Sequence, residues 1–113
     1  ENVYPKEVET ILLEHPAVAD TAVVAGKHQV KGEAPVAWVV TYKGEATSEV
    51  ALKQFFLERG PAYAHPRRVF FIDELPVSGT NKIDRKWLTE EVNRRIPGGI
   101  QGGRDDKATE EKA

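Results

Sequence analysis

Lys82 stands in the segment Leu75–Arg85, which reads Leu-Pro-Val-Ser-Gly-Thr-Asn-Lys-Ile-Asp-Arg. The apolar run Val69, Phe70, Phe71, Ile72 just before it reads as a buried strand. Asp84 stands where it can cap a helix through Trp87, Leu88 and Val92. A lysine between a strand and a capped helix reaches out from a fixed base. Its ammonium is a compact point charge, suited to contact phosphate or carboxylate oxygens. A lone surface lysine is more often simply solvated, so the flanking pattern carries the argument and the charge does not.

The elements that must position this loop follow from periodicity. Pro5 suits a first helical position, and Val8, Ile11 and Leu12 recur at helical spacing, with Lys6, Glu7, Glu9 and Glu14 on the polar side. His15-Pro16 stops that helix. Residues 21–27 read as a strand, 28–33 as a turn, and 34–43 as a longer strand with Val36, Trp38 and Val40 on one face. Strands so close in sequence form an antiparallel hairpin. Ser48 can cap a helix in which Leu52, Phe55, Phe56 and Arg59 share a stripe, and Gly60-Pro61 ends it. Residues 66–72 are the third strand, 73–83 the lysine loop and 84–95 the last helix. The order α-β-β-α-β-α predicts an α+β fold, a small sheet of a hairpin plus a third strand flanked by three helices. Phe55, Phe56, Trp87 and Leu88 are expected in the core, and His15 as a helix-stop residue. From Pro97 the composition turns to glycine and charge, with three basic and four acidic residues, and predicts a flexible, disordered tail over 97–113. The folded domain is thus expected over 1–96.

Composition limits the classes available. A chain of 113 residues, 40% hydrophobic and 30% charged, makes one globular domain with a modest core. A net charge of −2 gives no field directed at nucleic acid or membrane. There is no apolar run near the length of a membrane span and no signal-peptide pattern. Zero cysteines exclude a disulfide framework and a thiolate metal site, and His15, His28 and His65 do not cluster as metal ligands. The chain lacks methionine and starts at Glu1. A bulky acidic residue after an initiator methionine normally prevents its removal, so the expectation is a piece of a longer polypeptide.

The Leu75–Arg85 segment resembles the last core motif of the adenylate-forming enzymes, the superfamily of acyl- and aryl-CoA synthetases, luciferases and peptide-synthetase adenylation domains. Its pattern is Leu-Pro, a few small residues, Gly-Lys-Ile or Gly-Lys-Leu, one residue, then Arg. Lys82 matches the lysine, and Asn81 replaces the usual glycine. Asn is the non-glycine residue most tolerant of left-handed backbone geometry, which predicts that the loop keeps its shape. Four further stretches match in order: Glu1-Asn2-Val3-Tyr4-Pro5 followed by Glu7-Val8-Glu9, His15-Pro16-Ala17-Val18, Gly32-Glu33-Ala34-Pro35, and Tyr63-Ala64-His65-Pro66-Arg67. The resemblance covers residues 1–95 and corresponds to the small, mobile C-terminal lid domain of these enzymes, next to an interdomain hinge that would precede Glu1.

The resemblance implies an ATP-dependent acyl-CoA ligase acting on a fatty or aromatic acid in the cytoplasm. Lys82 would bridge the substrate carboxylate and the α-phosphate of ATP during adenylation. Mg²⁺ would share the charge work, with its ligands in the large N-terminal domain, which is the expected partner. No ligand is expected on this chain alone, and alone it should not turn over. After adenylation the domain would rotate and present the side carrying Glu1, Asn2, Tyr63, His65 and Arg67 to CoA. There His65 could stack on adenine and Arg67 could meet a CoA phosphate, although both could equally be ordinary surface residues. Arg85 either anchors the loop by pairing with a carboxylate or faces nucleotide, and the anchor is favoured. Two other readings remain. One is an adenylation domain that serves a carrier protein. The other is a small α+β binding module whose Arg67, Arg68, Lys82, Arg85 and Lys86 form a basic patch for nucleic acid, against which the near-neutral charge argues.

Overall fold

Pro5 opens the first helix of the computed structural model, which describes residues 3–103. Helix α1 (Pro5–Leu12) buries Val8, Glu9 and Leu12. Strand β1 (Val18–His28) begins three residues before the periodicity indicated, with a register irregularity between Val18 and Asp20. It pairs antiparallel with β2 (Gly32–Thr41), Val23 opposite Ala37 and His28 opposite Gly32. The hairpin turn is held from within: the His28 ring Nδ1 accepts the Val30 and Lys31 N–H groups, each at 3.1 Å. Helix α2 (Glu49–Leu57) is capped as its sequence indicates, Ser48 Oγ accepting the Ala51 N–H at 3.0 Å. A short 3₁₀ turn (Ala62–Ala64) leads into β3 (Arg68–Phe71), which lies parallel to β2 and completes a sheet of order β1-β2-β3. The parallel pairing follows from the helical crossover between β2 and β3. Helix α3 (Arg85–Arg95) comes last, so the order is α-β-β-α-β-α and the sheet is mixed.

Strand β2 lies in the middle and is buried continuously from Ala34 to Val39. Its two faces carry separate cores. Ala37 and Val39 join Val8, Leu12, Val23, Leu52, Phe56 and Val69 beneath α1 and α2. Val36 and Trp38 join Ala22, Val24, Leu88, Val92 and Ile100 beneath α3. Covering a sheet on both faces turns its central strand into an unbroken apolar run. Each fully buried aliphatic side chain contributes about 1.5–3 kcal/mol. Gly26 is where α3 comes closest to the sheet: a Cβ there would stand 2.9 Å from Val36 Cγ2 and 3.0 Å from Val92 Cγ1.

Three placements differ from expectation. Trp87 is 40% exposed and leans on Trp38, the ring centroids 6.1 Å apart. Phe55 is half-buried, with the Arg59 guanidinium stacked 3.6 Å above its ring. The stretch after Pro97 starts as packed chain. Gly98 and Gly99, at φ of 83° and 92°, reverse direction after α3, and Ile100 then bridges His28 and is fully buried. Its N–H donates to Lys27 O at 2.7 Å and its carbonyl accepts the Gln29 N–H at 2.8 Å. Residues 104–113, on which the rest of the expected tail falls, lie outside the described residues, as do Glu1 and Asn2. Among the described residues no helix is long and apolar enough to cross a membrane.

Candidate functional site

The lysine loop is a small closed hairpin standing on two apolar feet. Leu75 and Ile83 pack on the core beneath α3. Between them Val77 pairs antiparallel with Ile83, the Ser78 N–H donates to Lys82 O at 2.7 Å, and the Asp84 N–H donates to Pro76 O at 2.8 Å. The tip closes as the Asn81 N–H donates to Ser78 O at 2.9 Å. Asn81 has φ of 63°, alone among described non-glycine residues in the left-handed region. Most L-residues pay for that conformation, and Asn pays least. The loop therefore reaches with Asn81 the geometry a glycine would adopt freely. Asp84 caps α3 through its side chain, accepting the Trp87 N–H at 3.0 Å. Lys82 follows the tip directly and is exposed. The result is an ammonium on a flexible stem above a backbone that its own hydrogen bonds hold still.

Arg85 is paired with a carboxylate. Its Nη1 donates to Glu9 Oε2 at 3.1 Å and to Val23 O at 3.0 Å. Glu9 Oε2 also accepts the Val23 N–H at 2.8 Å. One ion pair thus satisfies both poles of the Val23 residue on the open edge of β1. Glu9, expected on the polar side of α1, is only 7% exposed. Its place three residues before Leu12, on the border of the apolar stripe, was the available signal. The far edge of the sheet repeats the device. Glu49 Oε2 accepts the Val69 N–H at 2.7 Å and the Arg68 Nε–H at 2.8 Å.

The residues expected on a second, CoA-facing side are placed differently from one another. Tyr63 is 43% exposed. His65 and Arg67 are 5% and 4% exposed and are engaged with their own turn. His65 Nδ1–H donates to Ala62 O at 2.6 Å, and Arg67 Nη1 donates to His65 O at 2.5 Å and Tyr63 O at 3.3 Å. Lys53, also buried, donates through Nζ to Arg67 O at 3.0 Å. This network shapes the entry to β3. A cleft of about 320 Å³ lies where Val3 and Pro5 meet Val23, Ala25, Pro35 and the hairpin residues Lys31 and Glu33. Of the basic residues of the nucleic-acid reading, Arg67 is buried, Arg68 and Arg85 are paired with carboxylates, and Lys82 and Lys86 are exposed. Among the described residues no group of three His, Asp or Glu side chains could hold a metal ion.

Known proteins are similar to this chain in sequence and fold. Residues 7–82 match the family model described as the AMP-binding enzyme C-terminal domain. The 2-succinylbenzoate–CoA ligase of Geobacillus kaustophilus (strain HTA426) is 40% identical over 97 residues, which cover 86% of this chain and 19% of that protein. 4-Coumarate–CoA ligase 1 of Glycine max is 43% identical over 96 residues, covering 84% of this chain and 33% of the relative. The crystal structure of ATP-bound MatB from Rhodopseudomonas palustris superposes with a TM-score of 0.79 at 30% identity, covering 85% of this chain and 19% of that one. The chain therefore spans about a fifth of the first of these curated relatives and about a third of the second. A family match that runs from α1 to the exposed lysine, in a fold shared at this similarity, makes the chain a member of the AMP-binding enzyme C-terminal domain family.

Proposed function

We propose that this chain is the lid domain of an ATP-dependent ligase that forms an acyl- or aryl-CoA thioester, and that Lys82 is its adenylation residue. The observation that carries the reading is the exposed ammonium of Lys82 on a hairpin tied to the sheet, at the position the motif assigns to the lysine. In the first half-reaction a carboxylate oxygen attacks the α-phosphorus of ATP and pyrophosphate leaves. Two anions approach, and negative charge builds on the oxygens at phosphorus. An ammonium that touches both groups lowers their repulsion and aligns them. Lys82 moves no proton in this step. In the second half-reaction the CoA sulfur attacks the acyl carbon, a carbon–sulfur bond forms and AMP leaves. The carboxylate pocket and the Mg²⁺ ligands belong to a larger domain of the same enzyme. Relatives named for 2-succinylbenzoate and 4-coumarate favour an aryl or acyl acid as substrate. The cleft beside Val3 and Pro5, next to Lys31, suits the second half-reaction better than the buried His65 and Arg67 do.

The test is Lys82→Ala in the full-length ligase. Acyl-adenylate formation, followed as pyrophosphate release, falls by about 10²-fold or more. Thioester formation from supplied acyl-adenylate is largely spared. Equal loss in both half-reactions would refute the assignment.

A further inference from the structure

We propose that Glu9 is a positioning residue for Lys82, acting through Arg85, an inference that rests on the adenylation role of Lys82 above. A carboxylate as buried as Glu9 persists only where it is paired and hydrogen-bonded. Its two contacts come from distant parts of the chain: the Val23 N–H at 2.8 Å and the Arg85 guanidinium at 3.1 Å. A neutral Gln could accept the Val23 N–H equally well, so capping the strand edge does not require the charge. What a neutral Gln would lose is the charge attraction to Arg85, whose guanidinium is otherwise held by one carbonyl, Val23 O.

Arg85 lies three residues after Lys82, and the path between them is short and stiff. Ile83 is packed on the core, the Asp84 N–H is bound to Pro76 O, and the Arg85 N–H is bound to Ile83 O at 3.0 Å. A shift of Arg85 passes along that path to the base of the Lys82 side chain. Glu9 thereby refers the lysine to α1 as well as to the sheet. Helix α1 is the element that begins at Pro5, beside the expected hinge. The ammonium and α1 then turn as one body. Loss of the pair leaves Lys82 chemically intact but spread over more positions. Adenylation, which needs the ammonium between two reacting groups, feels this, while thioester formation does not.

The experiment compares Glu9→Gln, Arg85→Gln, the double variant and Lys82→Ala in the full-length ligase, with each half-reaction measured separately. Glu9→Gln is expected to lower kcat for adenylation by roughly ten- to hundredfold and to change thioester formation by no more than about twofold. Arg85 is half-exposed, so Arg85→Gln supplies the same reading should Glu9→Gln fold poorly. The double variant should be no slower than the slower single variant, since both break one link. In the 113-residue chain, Glu9→Gln should speed hydrogen exchange at the Ser78 and Asp84 amides while leaving Ala37 in β2 protected. Unchanged adenylation in both single variants, equal loss in both half-reactions, or additive losses in the double variant would overturn the positioning role, provided Lys82→Ala still abolishes adenylation. Full adenylation by Lys82→Ala would instead overturn the functional reading beneath it.

Discussion

Replacing Ile100 by alanine tests whether the chain beyond Pro97 belongs to the folded unit. Ile100 is fully buried against Ala22, Val24, Val36, Trp38, Leu88 and Val92, and its backbone is bonded on both sides to residues 27 and 29. The three carbons removed are worth about 2–2.5 kcal/mol in transfer from water. The site sits between α3 and the end of β1 and cannot close over the gap, so the cavity raises the cost to about 3–4 kcal/mol. That is a large part of the roughly 5–15 kcal/mol that holds a domain of this size together. At about 4–8 °C per kcal/mol, the midpoint should fall by roughly 12–30 °C. Thermal unfolding of the 113-residue chain, followed by tryptophan fluorescence from Trp38 and Trp87, measures it, and urea unfolding gives the loss in free energy. Val30→Ala, at a residue 79% exposed, is the control and should shift stability by less than about 0.5 kcal/mol. A loss below about 1 kcal/mol for Ile100→Ala, or rapid hydrogen exchange at its amide, would refute the packing of this segment.

Other outcomes follow from the edges, the loop tip and α3. Asn81→Gly should leave stability within about 1 kcal/mol of the parent, whereas Asn81→Val, a β-branched residue at φ 63°, should lose about 1–2 kcal/mol and slow adenylation; equal behaviour would remove the left-handed tip from the account. Glu49→Ala should cost about 1–3 kcal/mol by stripping the acceptor from the Val69 N–H and Arg68, as denaturant titration would show. Hydrogen bonds from Arg94 and then Arg95 hold the Glu91 carboxyl below its ordinary value of 4.5. Because the folded form is the stronger acid, the stabilisation is complete above 4.5 and fades as pH falls through the lower folded value. Glu91→Gln should flatten that acid-side slope in a plot of stability against pH, and an unchanged slope would contradict the assignment.

Much of this was legible in the sequence because the signals are local. Ser48 and Asp84 cap the helices their neighbours predict, the hairpin lies where two β-rich runs meet across Gly32, and Asn81 adopts the one unusual backbone angle its side chain tolerates. What was not legible depends on distant partners. Glu9 looks like any solvated helix carboxylate until β1 brings the Val23 N–H to it. His65 and Arg67 look like surface groups at a strand entry, yet their turn folds back and supplies carbonyls for both. Trp87 fits a helical stripe, but Trp38 fills the space beneath α3 and leaves it half outside. The early start of β1 was hidden by Asp20, a turn-favouring residue that the irregularity after Val18 accommodates. Ile100 was hidden by its glycine-rich surroundings, which serve here as a sharp reversal.

The two carboxylates at the sheet edges also bear on how the domain behaves in a crowd. An open three-stranded sheet presents two unpaired edges, and each is a template on which another chain can add a strand and begin a fibre. Here the β1 edge is occupied at Val23 by Glu9 and Arg85, and the β3 edge at Val69 by Glu49. An incoming strand would have to evict a hydrogen-bonded anion from each and leave it without its partner. Self-association by edge pairing is therefore opposed at both ends of the sheet, by side chains that the fold already needs to hold its helices in place.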